Sequence, residues 1–164
     1  MRYAAIKEND IVDGEGVCVS FWTQGCPHKC KGCHNPETWS FDGGIEEKDT
    51  ELLNKIITLI NKNGVKRNLS ILGGEPLCKE NRKFVSTLIL AAKKMYPDIK
   101  IFLWTGYVIE DLQESSDNYI DNIIKNTDVI IDGPYIEEQR DITLKLRGSK
   151  NQRILTKLDK SEII

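Results

Sequence analysis

Three thiols crowd into one short run, Cys26-Pro27-His28-Lys29-Cys30-Lys31-Gly32-Cys33. Thiolates are the ordinary ligands of iron–sulfur clusters, and a cubane usually takes four. Only three are close here, so three irons could be held and the fourth left open to a substrate. An open position is what separates a catalytic metal site from a structural one. Gly25 and Gly32 let the backbone wrap closely, because glycine tolerates positive φ. The competing reading is a zinc site completed by His28, His34 or Cys78. Zinc knuckles pair two ligands and, after a spacer, two more, which three ligands without a second pair fit poorly. His34 directly follows Cys33 and would have difficulty reaching the same ion. Cys18 lies in a strand-like run and reads as a small buried hydrophobe. Packing is also the default for Cys78, although it could lie near a cluster.

The whole chain has five cysteines, an odd number that argues against a disulfide framework. The N-terminal run has no apolar signal-peptide core, and no apolar stretch approaches the ~20 residues of a membrane span. A cytoplasmic protein is expected, with thiols kept reduced. Net charge is −2 with acids and bases interspersed, so neither nucleic acid nor membrane is favoured as a partner. The basic pairs Lys66-Arg67 and Lys93-Lys94 read as solvated faces. A length of 164 residues, 40% of them hydrophobic, suits a single domain over 1–164.

The elements that must position the thiols follow from periodicity. Residues 17–23 are β-branched and aromatic and predict a strand, followed by a Cys-, Gly- and Pro-rich loop to about Gly44. Residues 48–62 and 80–95 place apolar side chains at helical spacing. Strands are expected at 68–72, 99–104 and 128–132, with a short last one at 152–155. Residues 107–126 hold one or two short helices, broken near Ser115-Ser116. Alternating strands and helices predict an α/β fold with a mostly parallel sheet. Four to six strands are too few for a closed barrel, so a partial, incomplete parallel β/α barrel is expected. The unusual residues sit just after the strands: Gln24-Gly25-Cys26, Gly73-Gly74-Glu75-Pro76, Thr105-Gly106-Tyr107 and Gly133-Pro134-Tyr135. In a parallel sheet these turns share the carboxyl edge, where ligands bind.

Cysteines spaced three and two residues apart, followed by Gly73-Gly74-Glu75-Pro76 after the next strand, resemble the radical S-adenosylmethionine superfamily. The finer resemblance is to the activating proteins of anaerobic (class III) ribonucleoside-triphosphate reductase. It rests on Asp10-Ile11-Val12-Asp13-Gly14-Glu15-Gly16, the Cys loop running into His34-Asn35-Pro36-Glu37-Thr38-Trp39, Trp104-Thr105-Gly106-Tyr107, Asp132-Gly133 and Arg147-Gly148-Ser149-Lys150-Asn151-Gln152. Two positions depart from the pattern. Gly32 stands where many superfamily members carry an aromatic residue, and Glu15 where relatives often have proline.

The resemblance implies a radical-SAM-type partial barrel, with Cys26, Cys30 and Cys33 ligating a [4Fe–4S] cluster. It implies that the fourth iron is chelated by the amino and carboxylate groups of S-adenosyl-L-methionine. Gly73, Gly74 and Glu75 would line the pocket for the amino group, and Gly32, Cys33 and His34 would lie against the cofactor. An electron from a flavodoxin-type donor would drive cleavage to a 5′-deoxyadenosyl radical, and the partner would be the reductase, left with a glycyl radical. The residues agree. Adjacent glycines let carbonyls approach a cationic amine, and Glu75 adds favourable charge toward a sulfonium. Thr105-Gly106-Tyr107 reads equally as a plain turn, Trp22, Trp39 and Trp104 read as packing, and Asp132 as either site or cap. Two alternatives remain: an activase of another glycyl-radical enzyme, of the pyruvate formate-lyase type, and a non-enzymatic zinc-binding module.

Overall fold

Alternate residues of a strand face opposite sides of a sheet, and here both sides are used. Val19, Phe21, Leu69, Ile71, Ile101, Leu103 and Ile130 point one way and are fully buried in the main apolar cluster. Their neighbours Ser20, Trp22, Ser70, Leu72, Phe102 and Trp104 point the other way. The computed structural model describes residues 1–157 and 159, so the last stretch of the expected domain, to residue 164, lies outside the described residues.

The order of elements is β1 (Arg2–Asp10), β2 (Cys18–Thr23), β3 (Ile45–Glu46), α1 (Asp49–Ile60), β4 (Asn68–Gly73), α2 (Arg82–Met95), β5 (Ile101–Trp104), α3 (Ile109–Gln113), α4 (Asn118–Asn126), β6 (Val129–Asp132) and β7 (Arg153–Leu155). The strands form one sheet in the order β3-β1-β2-β4-β5-β6-β7. β2, β4, β5 and β6 are parallel neighbours, joined by helical crossovers. β1, β3 and β7 pair antiparallel outside them.

The apolar faces of the helices cover one side of this sheet. α1 buries Leu52, Ile56 and Ile60, α2 buries Phe84, Val85, Leu88, Ile89 and Ala92, and α4 buries Ile120, Ile123 and Ile124. The break between α3 and α4 falls at Ser115-Ser116 as the polar residues there suggest, with Ser116 at φ 50°.

Among the described residues the sheet has seven strands, where four to six are expected from the sequence. β1 escaped the pattern because its sequence, RYAAIKEND, is charged and only Tyr3 and Asp10 in it are buried. β3 is two exposed residues held by pairing with β1. Both are made by neighbours rather than by their own propensity. Among the described residues no helix is long and apolar enough to cross a membrane.

Candidate functional site

The Cys loop leaves the end of β2 and is closed at its base by two backbone bonds. Gly25 N–H donates to the Thr38 carbonyl at 2.8 Å and Cys26 N–H to Trp39 at 3.1 Å. Within the loop, Cys33 N–H donates to the Cys30 carbonyl at 3.1 Å, and Lys29 and Gly32 adopt φ of 48° and 75°. Asn35 N–H donates to Cys33 Sγ at 3.4 Å, the kind of bond that tunes the potential of a cluster sulfur. Cys26 is buried while Cys30 and Cys33 are half-buried. Burial pushes the Cys26 thiol up, opposed by the His28 and Lys29 backbone N–H groups.

The Gly-Gly turn is packed directly beneath this loop. Gly73 has φ 102°, and a Cβ on it would come within 2.7 Å of the Thr23 nitrogen. A Cβ on Gly74 would run into the Gly25 carbonyl oxygen. The bare backbones allow Gly74 N–H to reach Thr23 O at 2.9 Å and Glu75 N–H to reach Gly25 O at 2.8 Å. These glycines therefore hold the base of the Cys loop against the neighbouring strand end.

Glu75 is fully buried and joins three turns. Its Oε1 accepts from Leu77 N–H at 2.9 Å and Thr105 Oγ1 at 2.7 Å. Its Oε2 accepts from Gly106 N–H at 2.8 Å and lies 2.8 Å from His28 Nε2. Both oxygens are spent on the protein, so this carboxylate acts first as the knot of the site. It is also part of the cavity lining, where a carboxylate's charge acts through space on a cation as well. His28 is keyed in from the Cys loop. Its ring packs edge-on against Tyr107 at 4.5 Å, and a Cβ on Gly106 would approach it to 2.6 Å. The Thr105-Gly106-Tyr107 turn thus seats the Cys loop.

All of this surrounds a cavity of about 490 Å³ at the carboxyl edge of the parallel strands, a size that suits a small-molecule site. Cys26, Cys30, Cys33, His34, Gly73, Gly74 and Glu75 line it. The chain matches the family described as the 4Fe-4S single cluster domain over residues 12–155. It is 38% identical over 155 residues to the anaerobic ribonucleoside-triphosphate reductase-activating protein of Vibrio cholerae, covering 94% of this chain and 97% of that protein. It is 36% identical to the protein of that name from Enterobacteria phage T4 over 97% of this chain and 96% of the relative. The Escherichia coli K12 protein of the same name is 31% identical over 93% and 96%. The chain belongs to the family of anaerobic ribonucleoside-triphosphate reductase-activating proteins.

In this activating-protein chain the expected residues do not all meet. Gly32 is absent from the cavity lining, and a Cβ there would face Glu137 at 2.7 Å. Cys78 is also outside the lining; it is 2% exposed and burial pushes its thiol up to about 12, the profile of a packed side chain. Cys18 is fully buried, as expected. Asp132 is a cap and ion-pair partner, accepting from Ile109 N–H at 3.0 Å and Arg153 Nη2 at 2.6 Å.

The activating-protein cavity also takes in residues that the sequence reads as packing or gives no role. Trp22, Trp39 and Trp104 all line it. The even-numbered positions of β2 and β5 already shared a sheet face, which was the available signal for Trp22 and Trp104. Trp39 Nε1 is buried with no acceptor among the described residues. Asp13 also lines the cavity. Burial pushes its carboxyl up to about 6, helped by its hydrogen bond and repulsion with Asp10. Asp10 is buried too, but hydrogen bonds from Asp13, Val12 and Ser20 outweigh that and hold it at about 2.

The donor set is chemically suited to the family's cluster. A single zinc needs its donors to converge on one point, and among the described residues no three His, Cys, Asp or Glu groups do so. In a cubane each thiolate binds its own iron, so three thiols that line one cavity without converging on a single point are compatible with it.

Proposed function

We propose that this chain is a cytoplasmic enzyme, folded as one domain over 1–164, that generates a glycyl radical on anaerobic ribonucleoside-triphosphate reductase. The carrying observation is that three cysteine thiols and the Gly73-Gly74 turn face one cavity, in a chain whose relatives bear that reductase's activating-protein name. We read the sheet as an incomplete parallel β/α barrel of the radical S-adenosylmethionine type, with the cavity at its open carboxyl edge.

Cys26, Cys30 and Cys33 would hold a [4Fe–4S] cluster by three irons. With S-adenosyl-L-methionine bound, such a cluster would supply one electron, originating in a flavodoxin-type donor, for cleavage of the sulfonium C–S bond into methionine and a 5′-deoxyadenosyl radical. The protein's own part is to bind and shield. Gly73, Gly74 and His34 border the ligand space. Trp22, Leu72, Trp104 and Leu146 give that space an apolar lining that keeps a carbon radical from bulk water. That radical would take a hydrogen atom from a backbone glycine of the reductase, giving 5′-deoxyadenosine and the glycyl radical.

The test is electron paramagnetic resonance of the reductase mixed anaerobically with this protein, S-adenosylmethionine and a reductant. A glycyl doublet is expected. A protein that reconstitutes as a colourless one-zinc species, or a loaded cluster that yields no glycyl signal, would overturn the reading.

A further inference from the structure

The Arg147-Gly148-Ser149-Lys150-Asn151-Gln152 segment has no part in the chemistry above, yet it is built with care. Gln152 Oε1 accepts from Gly148 N–H at 2.9 Å and Ser149 N–H at 3.2 Å, and its Nε2 donates to the Gly133 carbonyl at 3.1 Å. Asn151 Nδ2 donates to Pro134 O at 2.7 Å, and Ser149 Oγ donates to Asn151 Oδ1 at 2.6 Å. Trp104 Nε1 holds the preceding residue by donating to Leu146 O at 2.8 Å. The result is a self-bonded clasp on the turn after β6, and it presents Arg147 to the cavity wall.

Among the described residues, Arg147 is the one Lys or Arg that lines the cavity. Its Nη1 donates to the Gln152 carbonyl at 3.2 Å, which fixes the guanidinium plane. Its Nε is buried and has no acceptor among the described residues. Asp141, which is not part of the lining, is lowered mainly by its bonds to Thr143, with Arg147 a minor influence. Glu75, on the same wall system, is fully occupied by His28, Thr105, Gly106 and Leu77. A buried donor without an acceptor is costly, so a cation fixed this way beside a cavity points to a ligand anion.

We propose that Arg147 is the carboxylate anchor of the cavity. This rests on reading the cavity as a site for S-adenosylmethionine. Of that ligand's groups, the sulfonium and ammonium are repelled by a guanidinium, the adenine and ribose are neutral, and only the carboxylate is an anion. A guanidinium edge matches a carboxylate in geometry as well as in charge. Arg147 therefore sets which end of the ligand lies toward the Arg-Gly-Ser clasp and selects for amino-acid-bearing adenosyl sulfonium compounds.

Equilibrium binding to the cluster-reconstituted protein tests this, with S-adenosylmethionine and its decarboxylated analogue as probes, the latter carried into the millimolar range. Iron and sulfide content and the cluster's absorption serve as folding controls. Arg147→Gln is expected to weaken S-adenosylmethionine about 10- to 100-fold, as for loss of a charge-assisted bond, and to leave the decarboxylated compound within about twofold of wild type. Arg147→Lys, which keeps charge without the planar edge, should fall between. Unchanged binding of S-adenosylmethionine by Arg147→Gln, or equal losses for both compounds, overturns the assignment while leaving the cavity's function intact. A reconstituted wild type that binds neither compound overturns both.

Discussion

At the scale of single residues, the chain separates thiols that face a cavity from thiols that only pack. Cys30 lines the cavity and Cys78 does not. Cys30→Ala is expected to lose most iron and sulfide on anaerobic reconstitution, measured by metal analysis; wild-type loading would remove it from the ligand set. Cys78→Ser should keep the cluster and cost about 1–3 kcal/mol of stability for a buried hydroxyl. Asp13 offers a pH signature. Its carboxyl is raised to about 6, chiefly by burial, so the folded state resists its charge. Nothing is lost below its unfolded value near 4, and stability falls as pH climbs toward 6 and then stays reduced. Asp13→Asn keeps a neutral side chain that can still donate to Asp10. It should raise Tm at pH 7.5 and give no gain at pH 4. Equal shifts at the two pH values would show that burial of charge is not the cause.

Elements show how local signals and neighbours share the work. α4 begins at Asp117, whose carboxylate accepts from Tyr119 N–H at 2.8 Å and Ile120 N–H at 3.2 Å. The same group lies 3.2 Å from Arg82 at the start of α2. Asp117→Ala should therefore cost about 1 kcal/mol in chemical denaturation, with cluster loading unchanged because the cap is not part of the cavity lining. A loss of loading would mean that the helix layer controls the Cys loop more directly than its contacts suggest. α1, α2, α4 and the four parallel strands are legible from apolar spacing, since each buries a continuous face. β1 and β3 are not, because their pairing is imposed by β2 and by each other.

The whole molecule is closed by β7, which brings Arg153 between two acids. Arg153 Nη2 lies 2.6 Å from both Asp132 and Glu110, and Arg153 holds Glu110 at about 2, mainly through its hydrogen bonds. Asp132 is 1% exposed, so Arg153→Ala would leave a buried carboxylate with one backbone donor. The expected cost is on the order of 2–3 kcal/mol, below that of a fully buried pair because Arg153 itself is partly exposed. Thermal unfolding checks it; a change under ~0.5 kcal/mol would show that Asp132 is hydrated or protonated instead. The sequence alone determined the thiol cluster, the parallel helix–strand alternation and the placement of the special turns after strands. Those are local properties, carried by residue type and spacing within short windows. Only the tertiary structure decided that Glu75 is spent on His28, Thr105 and Gly106, that Gly32 turns toward Glu137, and that Trp39, Asp13 and Arg147 share one cavity. Such relations join side chains distant along the chain, and they exist only once the sheet has stacked its strand ends along one edge.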